Sequence, residues 1–192
     1  MFDNFNIAKI GHPILRKKTN EVDLNELKSD KIQNIIKKMI ATMRNANGAG
    51  IAANQIYESF RICVVEVLNN NRYKHLESIP LKILINPKIV IDKESGTFNS
   101  YEGCLSVPDI RGKEKRYKKI SLNYFDNEGK EIYEKIDGLE AIVYQHEIDH
   151  LDGYLFTDKV EDNTTLVTYK NYLKFHQEDY QKELNEFLKK IK

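Results

Sequence analysis

The sequence predicts an α+β fold: antiparallel or mixed β-sheets packed around a central helix, with an N-terminal helix and a long C-terminal helix. Three observations predict it. Runs rich in β-branched residues at 60–68, 82–91, 117–125 and 130–136 sit mid-chain, bounded by turn residues. Helical apolar periodicity occurs at 30–43 and again at about 164–190. Between the last strand run and the last helix lies a short segment with its own start and stop signals and two histidines four apart. The 192 residues fit one domain, 1–192, large enough for a real core, with its motifs at about 8–160.

Charge narrows the function classes. Lys+Arg is 30 and Asp+Glu is 29, for a net +1. That balance argues against a general nucleic-acid binder and against specific DNA as a partner. No apolar run is long enough for a membrane span. Met1-Phe2-Asp3-Asn4-Phe5-Asn6 lacks the basic and apolar blocks of a signal peptide, and no transit-peptide pattern is visible. The expected location is therefore the cytoplasm, bacterial rather than organellar. Two cysteines, Cys63 and Cys104, make no disulfide framework. In a reducing compartment such a thiol serves packing or chemistry.

Taken in order, the first segment with a structural signal is Gly11-His12-Pro13-Ile14-Leu15-Arg16, read as extended because Pro13 biases His12 away from helix. His12 is read as structural. Ser29 or Asp30 opens a helix, and Ile32, Ile35, Ile36, Met39, Ile40 and Met43 form its apolar face. Gly48-Ala49-Gly50-Ile51-Ala52-Ala53-Asn54-Gln55 follows, where small residues let the backbone approach something closely. A tight turn before a strand fits it. So does a substrate-binding edge to which Gln55 offers an amide donor. A nucleotide-type glycine loop does not, because the spacing is wrong. The 60–68 strand buries Cys63; a polar loop then runs to about Pro80 and leaves His75 exposed. Pro87 marks an edge or bulge in the 82–91 strand, and 94–99 reads as a turn.

Glu102-Gly103-Cys104-Leu105-Ser106 comes next, between that turn and Pro108, and reads as irregular backbone. A buried turn cysteine and a metal ligand both fit Cys104, thiolate being a strong ligand for zinc and iron(II). Arg111 is a surface charge or a substrate anchor. The 117–125 and 130–136 strands pair around Asp126-Asn127-Glu128-Gly129. The last helix carries the stripe Leu166, Leu173, Tyr180, Leu184, Phe187, Leu188 and Ile191, and ends in Lys189, Lys190 and Lys192.

The central helix carries the chemistry. Asp137 is placed to cap it, Glu140 to complete a capping box, and Gly153 to stop it. Within it, Gln145-His146-Glu147-Ile148-Asp149-His150 reads H-E-x-x-H. Histidines four apart share a helix face and can bind one metal ion. Glu147 stands where a carboxylate can take a proton from water at that ion. Leu139, Ile142 and Val143 precede His146 by seven, four and three residues, so an apolar wall lies beside the metal. Cys104 would make a third ligand and leave the fourth position open.

Three of these stretches together resemble the peptide deformylase family. Gly48 to Gln55 gives its G-x-G-Φ-A-A-x-Q pattern, Glu102 to Ser106 its E-G-C-L-S, and Gln145 to His150 its Q-H-E-Φ-D-H, all complete and in the family order. His12 to Arg16 fits its H-P-x-L-R. The resemblance implies a metal-dependent amide hydrolase that removes the formyl group from N-formylmethionine at the start of newly made polypeptides and releases formate. It implies Cys104, His146 and His150 as metal ligands, with Fe(II) the native ion and Zn(II), Ni(II) or Co(II) able to take its place. Glu147 would be the general base, and the Leu105 N–H and Gln55 amide would stabilise the oxyanion. Gly50, Ile51, Glu102, Arg111, Leu139, Ile142 and Val143 would contact substrate. The implied partners are the N-formylmethionyl nascent peptide and the ribosome, the latter through the C-terminal lysines. The loop before Pro80 looks long for the family, and Asn99-Ser100-Tyr101 fits no pattern in it.

The alternative is an H-E-x-x-H metallopeptidase, since His146 to Gly153 also matches H-E-x-x-H-x-x-G. That motif needs a histidine where Phe156 stands. Glu161 or Glu178 as third ligand would leave Cys104 unexplained. A purely structural zinc site would take four protein ligands, and only three are found.

Overall fold

The computed structural model describes residues 6–68 and 78–191. It is an α+β fold with antiparallel sheets. The strands are β1 (Gly50–Ala52), β2 (Ile62–Val67), β3 (Ile79–Ile91), β4 (Thr97–Cys104), β5 (Val107–Tyr117), β6 (Lys119–Phe125), β7 (Glu131–Asp137) and β8 (Val167–Thr168). The α-helices are α1 (Asp30–Asn45), α2 (Gly138–Leu151), α3 (Tyr169–Phe175) and α4 (Gln177–Ile191). One sheet runs in the order β1-β2-β3-β6-β7 and the other β4-β5-β8.

The larger sheet is covered on both faces, and β2 shows why. All six of its residues are buried. Ile62 and Val64 face the cluster built on Ile32, Ile36, Met39 and Met43 of α1. Cys63, Val65 and Val67 face the cluster that holds Ala141, Tyr144, Ile148 and Leu151 of α2. A side-chain period of two sends alternate residues to opposite faces, so a strand buried on both reads as a continuous apolar run. Pro87 falls where the β3–β6 register shifts, between Ile85 and Lys88, as its missing N–H requires.

Several elements differ from expectation. Pro13–Arg16 is a 3₁₀ turn: Pro13 presets its φ, and the His12 ring accepts from the Ile14 N–H. The strand expected at 82–91 begins earlier, at Ile79. Thr97–Cys104 is strand, not turn and irregular backbone, and β5 runs to Tyr117. Asp137 caps α2 by backbone conformation alone, without a side-chain bond, so the capping box does not form. Glu140 instead accepts from Tyr144 Oη at 3.1 Å and pairs with Lys82. Gly153, at φ 86°, does end the helix, as only glycine does without strain. The single C-terminal helix is replaced by β8, α3 and α4. Val167 and Thr168 pair with Arg111 and Ile110 of β5, and the Thr168 hydroxyl then caps α3. Of the expected stripe, Tyr180, Leu184 and Phe187 are buried, whereas Leu166 and Leu173 are exposed. His75 and most of the loop before Pro80 lie outside the described residues, as does Lys192.

Candidate active site

Three elements converge. α2 carries His146, Glu147 and His150; β4 ends at Cys104; β1 and the 3₁₀ turn after it (Ala53–Ile56) bring in Gly50 and Gln55. Cys104 Sγ lies 3.1 Å from His150 Nε2, and one ligand atom each from Cys104, His146 and His150 falls within 4.8 Å of the others. Burial pushes the Cys104 thiol up, but His150 and His146 outweigh it and hold it well below the usual thiol range. A thiolate with two imidazoles suits a borderline-soft divalent ion.

The surroundings fit that ion. His146 Nδ1 lies 2.7 Å from Glu102 Oε2, which fixes the ring and leaves Nε2 for a metal. Glu102 is in turn forked by Arg116, whose Nε and Nη2 donate at 2.7 and 2.9 Å. Arg116 also pairs with Glu114 and with Asp149, the residue next to His150. Burial would raise the Glu102 carboxyl, yet Arg116 and His146 hold it well below the ordinary carboxylate range. Burial and the neighbouring Glu102 push Glu114 up. The helix end is secured from the other side, where Asn54 Nδ2 donates to the His150 carbonyl.

Glu147 is 5% exposed, and its Oε2 has no hydrogen-bond partner among the described residues. Burial pushes its carboxyl up to about 7. Gly50 presses against it: a Cβ there would sit 2.5 Å from Glu147 Oε1. Gln55 is held at both ends of its amide. Oε1 accepts from the Ala52 N–H at 2.8 Å, and Nε2 donates to Ser106 Oγ at 3.0 Å while lying 3.6 Å from Cys104 Sγ. An amide donor therefore sits beside the cluster that could hold a metal.

A cavity of about 380 Å³ opens onto these groups, lined among others by Gly50, Gln55, Leu105, Arg111, Leu139, Ile142, Val143, His146 and Glu147. The apolar wall expected beside His146 is thus present. Ile51 is not part of the lining; it is fully buried in the cluster on the α1 side, because next to Gly50 on a strand it must point the other way. Glu102 reaches the cavity edge, but its carboxylate is turned to Arg116 and His146. The Arg111 guanidinium stacks 4.5 Å over the Tyr169 ring. Glu161 and Glu178 lie away from the histidines, on Lys115 and Lys182. The sequence reading missed Arg116 and Ser106. Arg116 gave no local signal; Ser106 closes the E-G-C-L-S stretch and could have been weighed as a partner for Gln55.

A histidine pair on one helix, a strand-end thiolate and a buried glutamate with one unpaired oxygen define a metal-dependent hydrolase. Residues 4–165 match the model of the polypeptide deformylase family. Peptide deformylase 2 of Nostoc sp. is 39% identical over 86% of this chain and 91% of its own. A Met-Ala-Ser-bound crystal structure of class I type b peptide deformylase from Acinetobacter baumannii superposes with a TM-score of 0.76 at 35% identity, over 80% of this chain and 96% of its own. An actinonin complex of a Synechococcus elongatus peptide deformylase covers 96% of this chain and 84% of its own, with a TM-score of 0.72 and 30% identity. The chain belongs to the polypeptide deformylase family. The metallopeptidase alternative is not favoured: Glu161 and Glu178 are paired with lysines elsewhere, and the Cys104 sulfur clusters with the ring nitrogens of His146 and His150. Among the described residues no helix is long and apolar enough to cross a membrane.

Proposed function

We propose that this chain removes the N-formyl group from N-formylmethionyl peptides, with Cys104, His146 and His150 holding one divalent ion and Glu147 moving the proton. The unpaired Glu147 Oε2, buried beside the three ligands, is the observation that carries the reading. When bound, the ion supplies Lewis acidity, lowering the pKa of a water toward about 7 and polarising the formyl carbonyl. Glu147 accepts the nucleophile's proton and passes it to the leaving amine. Its burial keeps bulk water from competing for that proton. Gln55 Nε2 and the Leu105 N–H stabilise the oxyanion; losing one such donor typically costs about 10²–10³ in rate. Ser106 and the Ala52 N–H hold the Gln55 amide in place before substrate arrives.

Leu139, Ile142 and Val143 take the methionine side chain. Gly50 on β1 and the backbone after Cys104 pair with the peptide as an added strand, and Arg111 stands at the cavity margin as a peptide contact. Glu102 is a positioning residue, acting through His146. The native ion is Fe(II), with Zn(II), Ni(II) and Co(II) as working substitutes. The exposed Lys189 and Lys190 at the end of α4 offer the ribosome a basic contact; changing both to glutamine should then weaken co-sedimentation with ribosomes, and unchanged co-sedimentation across a salt series would remove that part of the reading.

The function is tested with formyl-Met-Ala-Ser and unformylated Met-Ala-Ser. The reading predicts formate from the first and no peptide-bond cleavage of either. Free amino acids without formate would overturn it.

A further inference from the structure

The family match ends at residue 165, yet the cavity does not. It is also lined by Tyr172, Leu173, Gln177, Tyr180, Gln181 and Leu184, all from α3 and α4. This helical hairpin is fastened to the stretch before Glu102 that fits no family pattern. Phe98 stacks on Phe187 with ring centroids 4.2 Å apart. Tyr101 meets Tyr172 and Tyr180 edge-on at 5.1 and 5.4 Å. Ser100 Oγ lies 3.1 Å from Tyr180 Oη, and both residues are buried. Ile142, part of the apolar wall of the cavity, belongs to the same cluster as Tyr172, Tyr180, Leu184 and Phe187. At its start the hairpin is pinned by the β5–β8 pairing and by Arg111 over Tyr169.

We infer that the α3–α4 hairpin is a specificity-determining wall of the active-site cavity, in which the Tyr180 ring, propped on Ser100, limits the bulk of the first-residue side chain. This rests on the deformylase reading of the site. The small Ser100 leaves room for the Tyr180 ring, and the ring in turn bounds the space beyond Ile142. A wall of tyrosine rings and aliphatic groups suits a long, unbranched side chain and offers aromatic faces and edges to a thioether sulfur. A bulky planar side chain would meet the same rings as an obstacle.

The test compares kcat/KM for formyl-Met-Ala-Ser, formyl-Phe-Ala-Ser and formyl-Ala-Ala-Ser in the metal-loaded full chain. Tyr180→Ala should raise KM for the methionine peptide and narrow the Met-over-Phe preference by about ten-fold, within the range that one pocket group commands. Tyr180→Phe keeps the ring and should keep the preference. Because Tyr180→Ala removes a buried ring, a second variant adds bulk instead. Gln181→Trp, at a half-buried cavity position, should lower the Met-over-Ala preference by a similar factor without emptying the core. Folded, metal-replete Tyr180→Ala and Gln181→Trp proteins with wild-type preferences would overturn the inference and leave the deformylase reading standing. No formate from any peptide with the wild-type protein would overturn both.

Discussion

Gly50→Ala tests the geometry of Glu147, the proposed proton carrier, without replacing a proposed metal ligand or a polar side chain. Gly50 of β1 pairs with Val65 of β2, so the direction of a new Cβ is fixed by the sheet. That Cβ would lie 2.5 Å from Glu147 Oε1, 2.6 Å from Cδ and 2.7 Å from Cγ. Cβ atoms do not approach closer than 3.0 Å, so Glu147 must retreat by about half an ångström at its carboxylate. Three atoms are struck at once, so a small torsion at the tip does not relieve the contact. Twisting Glu147 off its rotamer costs on the order of 1 kcal/mol, a cost partly offset by the lower entropy of alanine in the unfolded chain. The fold should survive, but the base should not stay in place. A misplacement near 1 Å can cost about 10² in rate, so a shift half that size predicts a fall in kcat of about ten-fold or more. The assay is formate release from formyl-Met-Ala-Ser, with metal content and melting temperature measured on the same sample. Gly48→Ala is the comparison: its Cβ meets Leu105 Cδ1, the flexible end of a side chain, at 2.9 Å and the Gly50 carbonyl oxygen at 3.2 Å but does not strike Glu147, so kcat should fall less. A Gly50→Ala enzyme with full metal content and kcat within about two-fold of wild type, well inside the loss expected from displacing the base, would refute the argument.

Glu147→Gln keeps the shape of the side chain and, since Glu147 is not a ligand, should retain the metal while losing about 10²–10⁴ in kcat; near-normal formate release would dismiss it as the base. Arg116→Met strands Glu102 and Glu114 in a buried site, and removing one partner from such a cluster costs about 3–5 kcal/mol. Denaturant titration should show that loss, and metal affinity should fall as His146 loses its fixed partner; unchanged affinity would mean that the Glu102 contact does not tune the ligand. The iron-loaded enzyme should lose activity in air faster than the nickel-loaded one, because both iron(II) and its thiolate ligand oxidise; equal decay would count against iron at this site.

The helix that carries His146, Glu147 and His150 was legible because its residue types are chemically rare in that spacing. The glycine stretch was half legible: small residues announced a close approach, but only the fold shows that Glu147 is what comes close to Gly50. Ile51, named beside Gly50 as a substrate contact on the family resemblance, points away from the cavity because β1 must alternate its faces. β4 was hidden because Ser100, Glu102 and Cys104 occupy its buried positions. β5 was hidden in the same way by Glu114 and Arg116. Strand patterns are found by apolar alternation, and here the buried face is ionic because it serves His146. The break at His176 carries no glycine or proline. It follows from β8 pairing with β5 and from the hairpin packing on Tyr101 and Phe98, contacts that no local window contains.

One ion, held by Cys104, His146 and His150, is proposed to make this site a deformylase. Metal-free protein titrated with Ni(II) under anaerobic conditions tests it directly, with formate release and bound metal read on each sample. The expected result is no activity at the start, a linear rise that breaks at one ion per chain, and neither binding nor activity at those concentrations for Cys104→Ala. Full activity in the metal-free protein, or an unchanged titration for Cys104→Ala, would contradict it.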